Sequence, residues 1–321
     1  MNRLTSPITV KGTKLMNRIV MPPMYTGLAD VDGGVTDNLL KHYAERAEGL
    51  GLMIVEHSYV TPGGKMGNRQ LGIYSEQLLD GLRSLAEEIH SQGTPAVIQL
   101  NHGGAKSDRS VIGKQPVAPS EIQDARRMNR REMEAVALNF VDAAERAYEA
   151  GFDGVEIHGA HGFLLNQFYS PLTNRRKDEY GGSLEDRIRF PLEIVESVRE
   201  VSADGLLLYR LGSTDMDPEG TSIEDSRIFA ERLEESGVDI IDVSGGLCGS
   251  RPDELQGKQG YFIPQTESIK EVVEVPVIGV GGIRDPEFAD AVILGGRVDL
   301  VAVGRALLED KSWARKAVRV L

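Results

Sequence analysis

Two histidines three residues apart, His158 and His161, follow a short apolar run, Gly154-Val-Glu-Ile157, that has the composition of a buried strand. Imidazoles just past a strand end can point into a pocket. Each neutral imidazole carries one N–H donor, so a converging pair can hold a carbonyl oxygen and stabilise the negative charge that builds on it. Such a site suits chemistry in which a carbonyl becomes an enolate. Ser183, with Asp186 three residues later, forms a capping-box-like start for a helix running through Ile188, Leu192 and Val195. The span between is then a strand-to-helix loop, and one this long and aromatic points to function rather than mere connection. Metal ligation by the pair would need further His or Cys ligands at suitable spacing, which the chain lacks.

The run His158-Gly-Ala-His161-Gly-Phe163-Leu-Leu-Asn-Gln-Phe-Tyr-Ser-Pro171, followed by Asn174-Arg175-Arg176 and Asp178-Glu-Tyr180-Gly-Gly-Ser183, resembles the signature of the Old Yellow Enzyme family of flavin oxidoreductases. The resemblance extends from Pro22 to Arg305. It implies a (β/α)8 barrel holding FMN, NAD(P)H as electron donor, and His158 and His161 as the ligands of a substrate carbonyl. One departure stands out: Phe163 occupies the position where the family usually has its proton-donating tyrosine, and a phenyl ring has no proton to give. By the same resemblance Pro23 and Met24 set backbone groups against the flavin, and Tyr25 lies beside its reactive edge. Two readings of Tyr25 follow: a hydroxyl that tunes the flavin or supplies the missing proton, and a ring packed as a lid. His57 falls where relatives touch the flavin pyrimidine with a small residue; it lines the pocket or fills core. Tyr169 is a second possible donor.

Other chemistry sits at strand ends. The amide of Gln99 both donates and accepts, which suits the edge of an isoalloxazine; the resemblance makes it a flavin contact. Arg210 ends an apolar strand, where a charge is costly unless paired or ligand-bound; the resemblance sets it at the flavin N1–C2 edge. Gly281, Gly282 and Gly304 lie after the last two strands, where glycine N–H groups make the phosphate site of many barrels. Arg305 adds a charge-assisted bond there.

These residues need a scaffold that gathers eight strand ends. Apolar runs of strand length recur at 18–21, 52–55, 96–100, 155–157, 206–210, 240–243, 277–279 and 300–302, and helical periodicity lies between most of them, as at 78–92, 132–150, 226–236 and 286–294. Apolar strands alternating with amphipathic helices indicate a parallel sheet covered by helices. Eight such units without a linker favour a closed α/β barrel, read as one domain over 1–321 whose last helix spans 312–320. The loop 103–131 carries Arg126, Arg127, Arg130 and Arg131, expected as a solvated basic face. A loop from Ser244 to about Pro264 is expected to wall the pocket.

Composition narrows the function. With 36 basic and 49 acidic side chains, net charge −13, the chain is a poor binder of nucleic acid or anionic membrane. No apolar stretch approaches a membrane span or a signal peptide, so cytoplasmic residence is the expectation. One cysteine, Cys248, excludes an intrachain disulfide or a cysteine-ligated iron–sulfur cluster. The expected function is FMN-dependent, NAD(P)H-linked reduction of an activated C=C bond, by hydride to the β-carbon of a small-molecule enone or enoate. Phe163 keeps amine demethylation and flavin-dependent isomerisation open. The further alternatives are an FMN-binding electron-transfer subunit beside a separate iron–sulfur or FAD partner, a homo-oligomer, and a flavin-free barrel aldolase or isomerase.

Overall fold

The computed structural model describes residues 3–202 and 204–321. Eight parallel strands, β1 (Ile19–Met21), β2 (Leu52–Tyr59), β3 (Ala96–Asn101), β4 (Gly154–Gly159), β5 (Leu206–Gly212), β6 (Ile240–Ser244), β7 (Val277–Gly279) and β8 (Leu300–Ala302), close into a barrel in sequence order. Every barrel strand is buried along its whole length, which is why each reads as a continuous apolar run and not as an alternation.

The barrel interior has two halves of opposite character. Its lower half is apolar: Val20, Leu52, Ile54, Val97, Leu206, Leu208, Ile240, Ile278, Leu300 and Ala302 pack together with Val10 and Leu15. The last two belong to an N-terminal antiparallel hairpin, Ile8–Val10 with Thr13–Leu15, that stoppers this end. One period further along the strands the inward residues turn polar, with Glu56, Gln99, Glu156 and Asp242 fully buried and Arg210 nearly so. An apolar stopper below leaves the other end as the place for chemistry, as barrels require.

Outside the barrel, helices at Asp37–Ala47, Leu79–Ser91, Arg130–Glu149, Leu184–Val201, Ile223–Glu235 and Pro286–Leu294 bury one face each. Their starts are chemically marked. Asn129 and Glu132 form a reciprocal capping box, and Ser183 accepts from the Asp186 N–H as its spacing suggests. Three expectations need correction. The 158–183 span is not all loop, because Leu164–Tyr169 makes a buried six-residue helix too short to leave a periodic signal. Pro264 lies inside the helix Ile263–Lys270, at a first-turn position where a missing N–H costs nothing. The arginines of 103–131 do not form a bare basic face: Arg126 pairs with Glu132, Arg127 with Asp178, and Arg130 with Glu134 and Glu179.

Candidate active site

Pro22, Pro23, Met24, Tyr25, His57, His158, His161, Phe163, Arg210, Gly282, Gly304 and Arg305 line one cavity of about 510 Å³ at the C-terminal ends of the strands. Gly281 and Gln99 are not among its lining residues. Lys106, Arg251 and Tyr261 add their polar groups to the lining, and no carboxylate side chain belongs to it. In a chain of charge −13 this opening is a local concentration of positive charge.

The histidines are held as neutral donors. His158 is buried, and desolvation, helped by the charges of Arg210 and Lys106 and by the other histidines, holds its pKa well below the ordinary value. Its Nδ1 accepts the Ala160 N–H at 3.2 Å, so the single imidazole proton is on Nε2. His161 is likewise kept neutral, first by burial and then by Arg210 and Lys106. Its backbone is left-handed at φ 58°, rare for a side chain of this size. The strain is held by Gly245 O, which accepts the His161 N–H, and by Lys106 Nζ, which donates to its carbonyl at 2.6 Å. The two rings meet edge to face with centroids 5.1 Å apart, and Phe163 packs against His158 at 4.7 Å.

His57 reaches the cavity through an irregularity. Strand alternation would turn it outward with Met53 and Val55, but a bulge between Val55 and Ser58 shifts the register and re-aims it. Gln70 then sets its tautomer. The Gln70 carbonyl accepts from Met66 N at 2.7 Å, so its amide nitrogen donates to His57 Nδ1 at 2.8 Å and the His57 proton sits on Nε2. Burial lowers this pKa to about 4. Tyr25, half exposed, stacks on the ring at 5.5 Å.

Beneath the cavity runs a polar chain that sequence reading misses. Gln99 Nε2 donates to Glu156 Oε2 at 2.6 Å. Burial above all, and then the neighbouring Asp242, push the Glu156 carboxyl well up, which favours its protonated form. Asp242 Oδ2 in turn lies 3.4 Å from Arg210 Nε. Arg210 thus has a buried ion pair and also faces the cavity. Glu56 anchors the rim: it accepts the Thr26 N–H at 3.0 Å and the Thr26 hydroxyl at 2.5 Å, fixing the segment that carries Met24 and Tyr25. Burial raises its pKa to about 7. Glutamates inside strands were the available signal, since buried acids need a reason.

The cavity suits a flavin mononucleotide on its own evidence. Gln99 Oε1 is buried with no partner among the described residues, an acceptor free for a ring N–H. Backbone N–H groups of Gly282, Gly304 and Arg305 donate to no chain atom among those residues. Arg305 has no carboxylate partner there either; its guanidinium bonds only the Tyr261 hydroxyl, at 3.3 Å. A cation with unspent donors, at glycine turns after β7 and β8, fits a phosphate.

Tyr169 is a correction. Its hydroxyl is 2.8 Å from Ser226 Oγ in the core, and it lines no part of the cavity. Cys248 is half-buried beside Thr214 O with its pKa pushed up to about 11 by burial, so it stays a thiol. Of the loop after β6, Gly249, Ser250, Arg251 and Tyr261 wall the cavity, while Phe262 is core.

A family model described as the NADH:flavin oxidoreductase / NADH oxidase family matches residues 3–321. An NADH oxidase of Thermoanaerobacter brockii is 44% identical over 316 residues, 94% of this chain but only 48% of that protein, so the chain spans about half its length. An NADPH dehydrogenase of Geobacillus sp. (strain WCH70) is 41% identical over 326 residues, covering 99% of this chain and 94% of that protein. Among solved structures, an Old Yellow Enzyme homologue from Zymomonas mobilis has a TM-score of 0.87 at 27% identity, over 99% of this chain and 93% of that one. A 2-naphthoyl-CoA reductase has a TM-score of 0.94 at 26% identity, over 99% of this chain and 52% of that one.

Proposed function

Because the chain belongs to the NADH:flavin oxidoreductase / NADH oxidase family and is an FMN-dependent oxidoreductase, we propose that it reduces activated C=C bonds at the expense of NADH or NADPH. FMN, when bound, would supply the two-electron hydride chemistry between reduced nicotinamide and the second substrate. The residues that would hold it are Gln99 and Arg210 at the ring, Pro23 and Met24 through the backbone, and Gly281, Gly282, Gly304 and Arg305 at the phosphate. His57 and Tyr25 close one side.

The observation that carries the reading is that His158 and His161 open onto the same cavity as Arg210, Gly282 and Arg305. An enone or enoate carbonyl placed between the imidazoles would meet the Nε2–H of His158, and His161, whose Nε2 lies 2.8 Å from Ser244 Oγ, would offer a proton from Nδ1 when Nε2 accepts from that hydroxyl. Charge that builds on this oxygen as the double bond is reduced is met by donors already oriented, in a site their neighbours have partly dried. Their neutrality matters: an imidazole donor stabilises the oxygen without holding the substrate as a salt. The 321 residues are read as one FMN-binding barrel domain of a cytoplasmic enzyme acting on small molecules. No helix among the described residues is long and apolar enough to cross a membrane.

A second reading is supported by the longer NADH oxidase relative: the barrel receives its electrons from an iron–sulfur or FAD-bearing partner. Anaerobic titration separates the two. The proposed enzyme is bleached by NADH or NADPH alone and regains its colour with cyclohexenone. Protein that stays yellow with both nicotinamides would overturn the direct route.

A further inference from the structure

We propose that Lys106 is the catalytic acid of this site, giving its proton to the substrate carbon next to the carbonyl. The proposal rests on the ene-reduction reading above. In that reaction hydride adds to the β-carbon, the C=C π bond breaks, and its electron pair moves to the carbonyl oxygen held by His158 and His161. The pair then returns through the α-carbon. A C–H bond forms there as one N–H bond of Lys106 breaks, the carbonyl is restored, and Lys106 is left as a neutral amine that regains its proton from solvent. Two electrons and two hydrogens are thus added across the double bond, one hydrogen as hydride and one as a proton.

Few groups in the cavity can release that proton. Phe163 carries none. The three imidazoles are neutral, and an N–H of neutral imidazole is a hydrogen-bond donor rather than an acid at ordinary pH. The arginines hold their protons. Tyr261 spends its hydroxyl on Ser250 O, at 2.9 Å, and on Arg305. Tyr25 is half exposed, with its hydroxyl beside Gly67, where an added Cβ would lie 3.0 Å from that oxygen. Burial and the nearby Glu56 also raise its pKa, which makes it a weaker acid.

Lys106 differs on each count. Its ammonium donates to the His161 carbonyl at 2.6 Å and lies 5.5 Å from the centre of the Phe163 ring, on the lining of the cavity that the donor pair shares. Two of its three N–H bonds remain, and no carboxylate comes within 4.0 Å of it among the described residues, so nothing in the chain competes for them. Its charge is felt by both His158 and His161. The wall it lies on strips enough water to lower its pKa, while its solvent-facing surface leaves a route for reprotonation. A lysine tuned downward is a better-matched acid near neutrality than a tyrosine tuned upward.

The test uses FMN-loaded protein with Lys106→Met and Lys106→Arg, both normalised to flavin content. Reoxidation of the reduced enzyme by cyclohexenone is followed against pH. Wild type should show an alkaline limb that reports loss of one acid, and Lys106→Met should lose about 10²- to 10⁴-fold in rate together with that limb. Lys106→Arg keeps the charge but cannot give up a proton, so it should be as slow as the methionine variant. Acylation of Lys106 against pH, read by mass spectrometry without substrate, should show it titrating below the other lysines. An arginine variant with wild-type rate would overturn the proposal and make Lys106 a clamp for an anionic substrate. A methionine variant that keeps rate and limb, or acylation in step with the remaining lysines, would overturn it as well. Wild-type protein that no enone reoxidises would sink the ene-reduction reading, and this proposal with it.

Discussion

A neutral imidazole has a single proton to offer, and the site works only if the right nitrogen carries it. In His158 the Ala160 N–H settles the matter by occupying Nδ1, and in His57 the Gln70 amide does the same. None of this is visible in the spacing of His158 and His161, which shows that two donors can converge but not how each is oriented. The residue types themselves were legible: the histidine pair, Gln99, Arg210 and the glycines after β7 and β8 all stood out as polar or glycine positions at the ends of apolar runs. Lys106 was not, because a lysine in a loop looks like any solvated lysine until its contacts with His161 and Phe163 are known. Replacing His158 by alanine should cost about 10²- to 10³-fold in enone reduction, the ordinary effect of deleting one oriented donor. His158→Asn retains an N–H and should lose less. Equal losses in the two variants, measured by stopped-flow reoxidation, would mean that His158 supplies shape rather than a hydrogen bond.

Elements carry the site by small departures from regularity. The bulge in β2 turns His57 into the cavity, the left-handed His161 bends the chain out of β4, and the turn after β7 depends on glycine. Gly281 has φ 129°, and a Cβ there would sit 2.6 Å from Tyr261 N. Gly281→Ala should therefore cost about 1–3 kcal/mol in backbone strain and displace the Tyr261 wall. The expected outcome is a lower melting temperature together with flavin release during gel filtration. A variant that melts as wild type and keeps its colour would show that the turn tolerates a side chain. Such departures explain where sequence reading stops. Eight barrel strands are legible because both faces are buried and the apolar runs are continuous. The three-residue strands of the hairpin and the six-residue helix Leu164–Tyr169 fall below the length at which any period shows. The acids inside β2, β4 and β6 read as interruptions of apolar runs, although they form the polar half of the barrel.

At the largest scale, charge is divided: a chain that sums to −13 holds a cavity lined by lysine, arginine and neutral histidine. Keeping those histidines uncharged has a cost in acid. His57 and His102 have folded pKa values of about 4 against 6.5 unfolded, and His158 and His161 are shifted the same way. A depressed histidine contributes stability that is complete above its unfolded value and is lost as pH falls through its folded value. For His57 alone this is on the order of 3 kcal/mol. Glu56 acts oppositely: with a folded pKa of about 7 against 4.5, its contribution is complete below 4.5 and is lost as pH rises through 7. Burial also raises Glu156, Asp242 and Glu193 and lowers His42; the five depressed histidines outnumber these four acids, so the melting temperature should fall as pH drops from 6.5 towards 4. Glu56→Gln, which removes part of the opposing effect, should steepen that fall. A melting temperature flat across this range would contradict the buried, neutral state of the histidines.

The crystal structure of the purified protein with its native colour puts the central claim to the most direct test. An isoalloxazine is expected between Gln99 and Arg210, its phosphate on Gly282, Gly304 and Arg305, with His158 and His161 open to the space above the ring. Colourless crystals from protein that will not take up FMN, or a flavin bound anywhere but in this cavity, would contradict it.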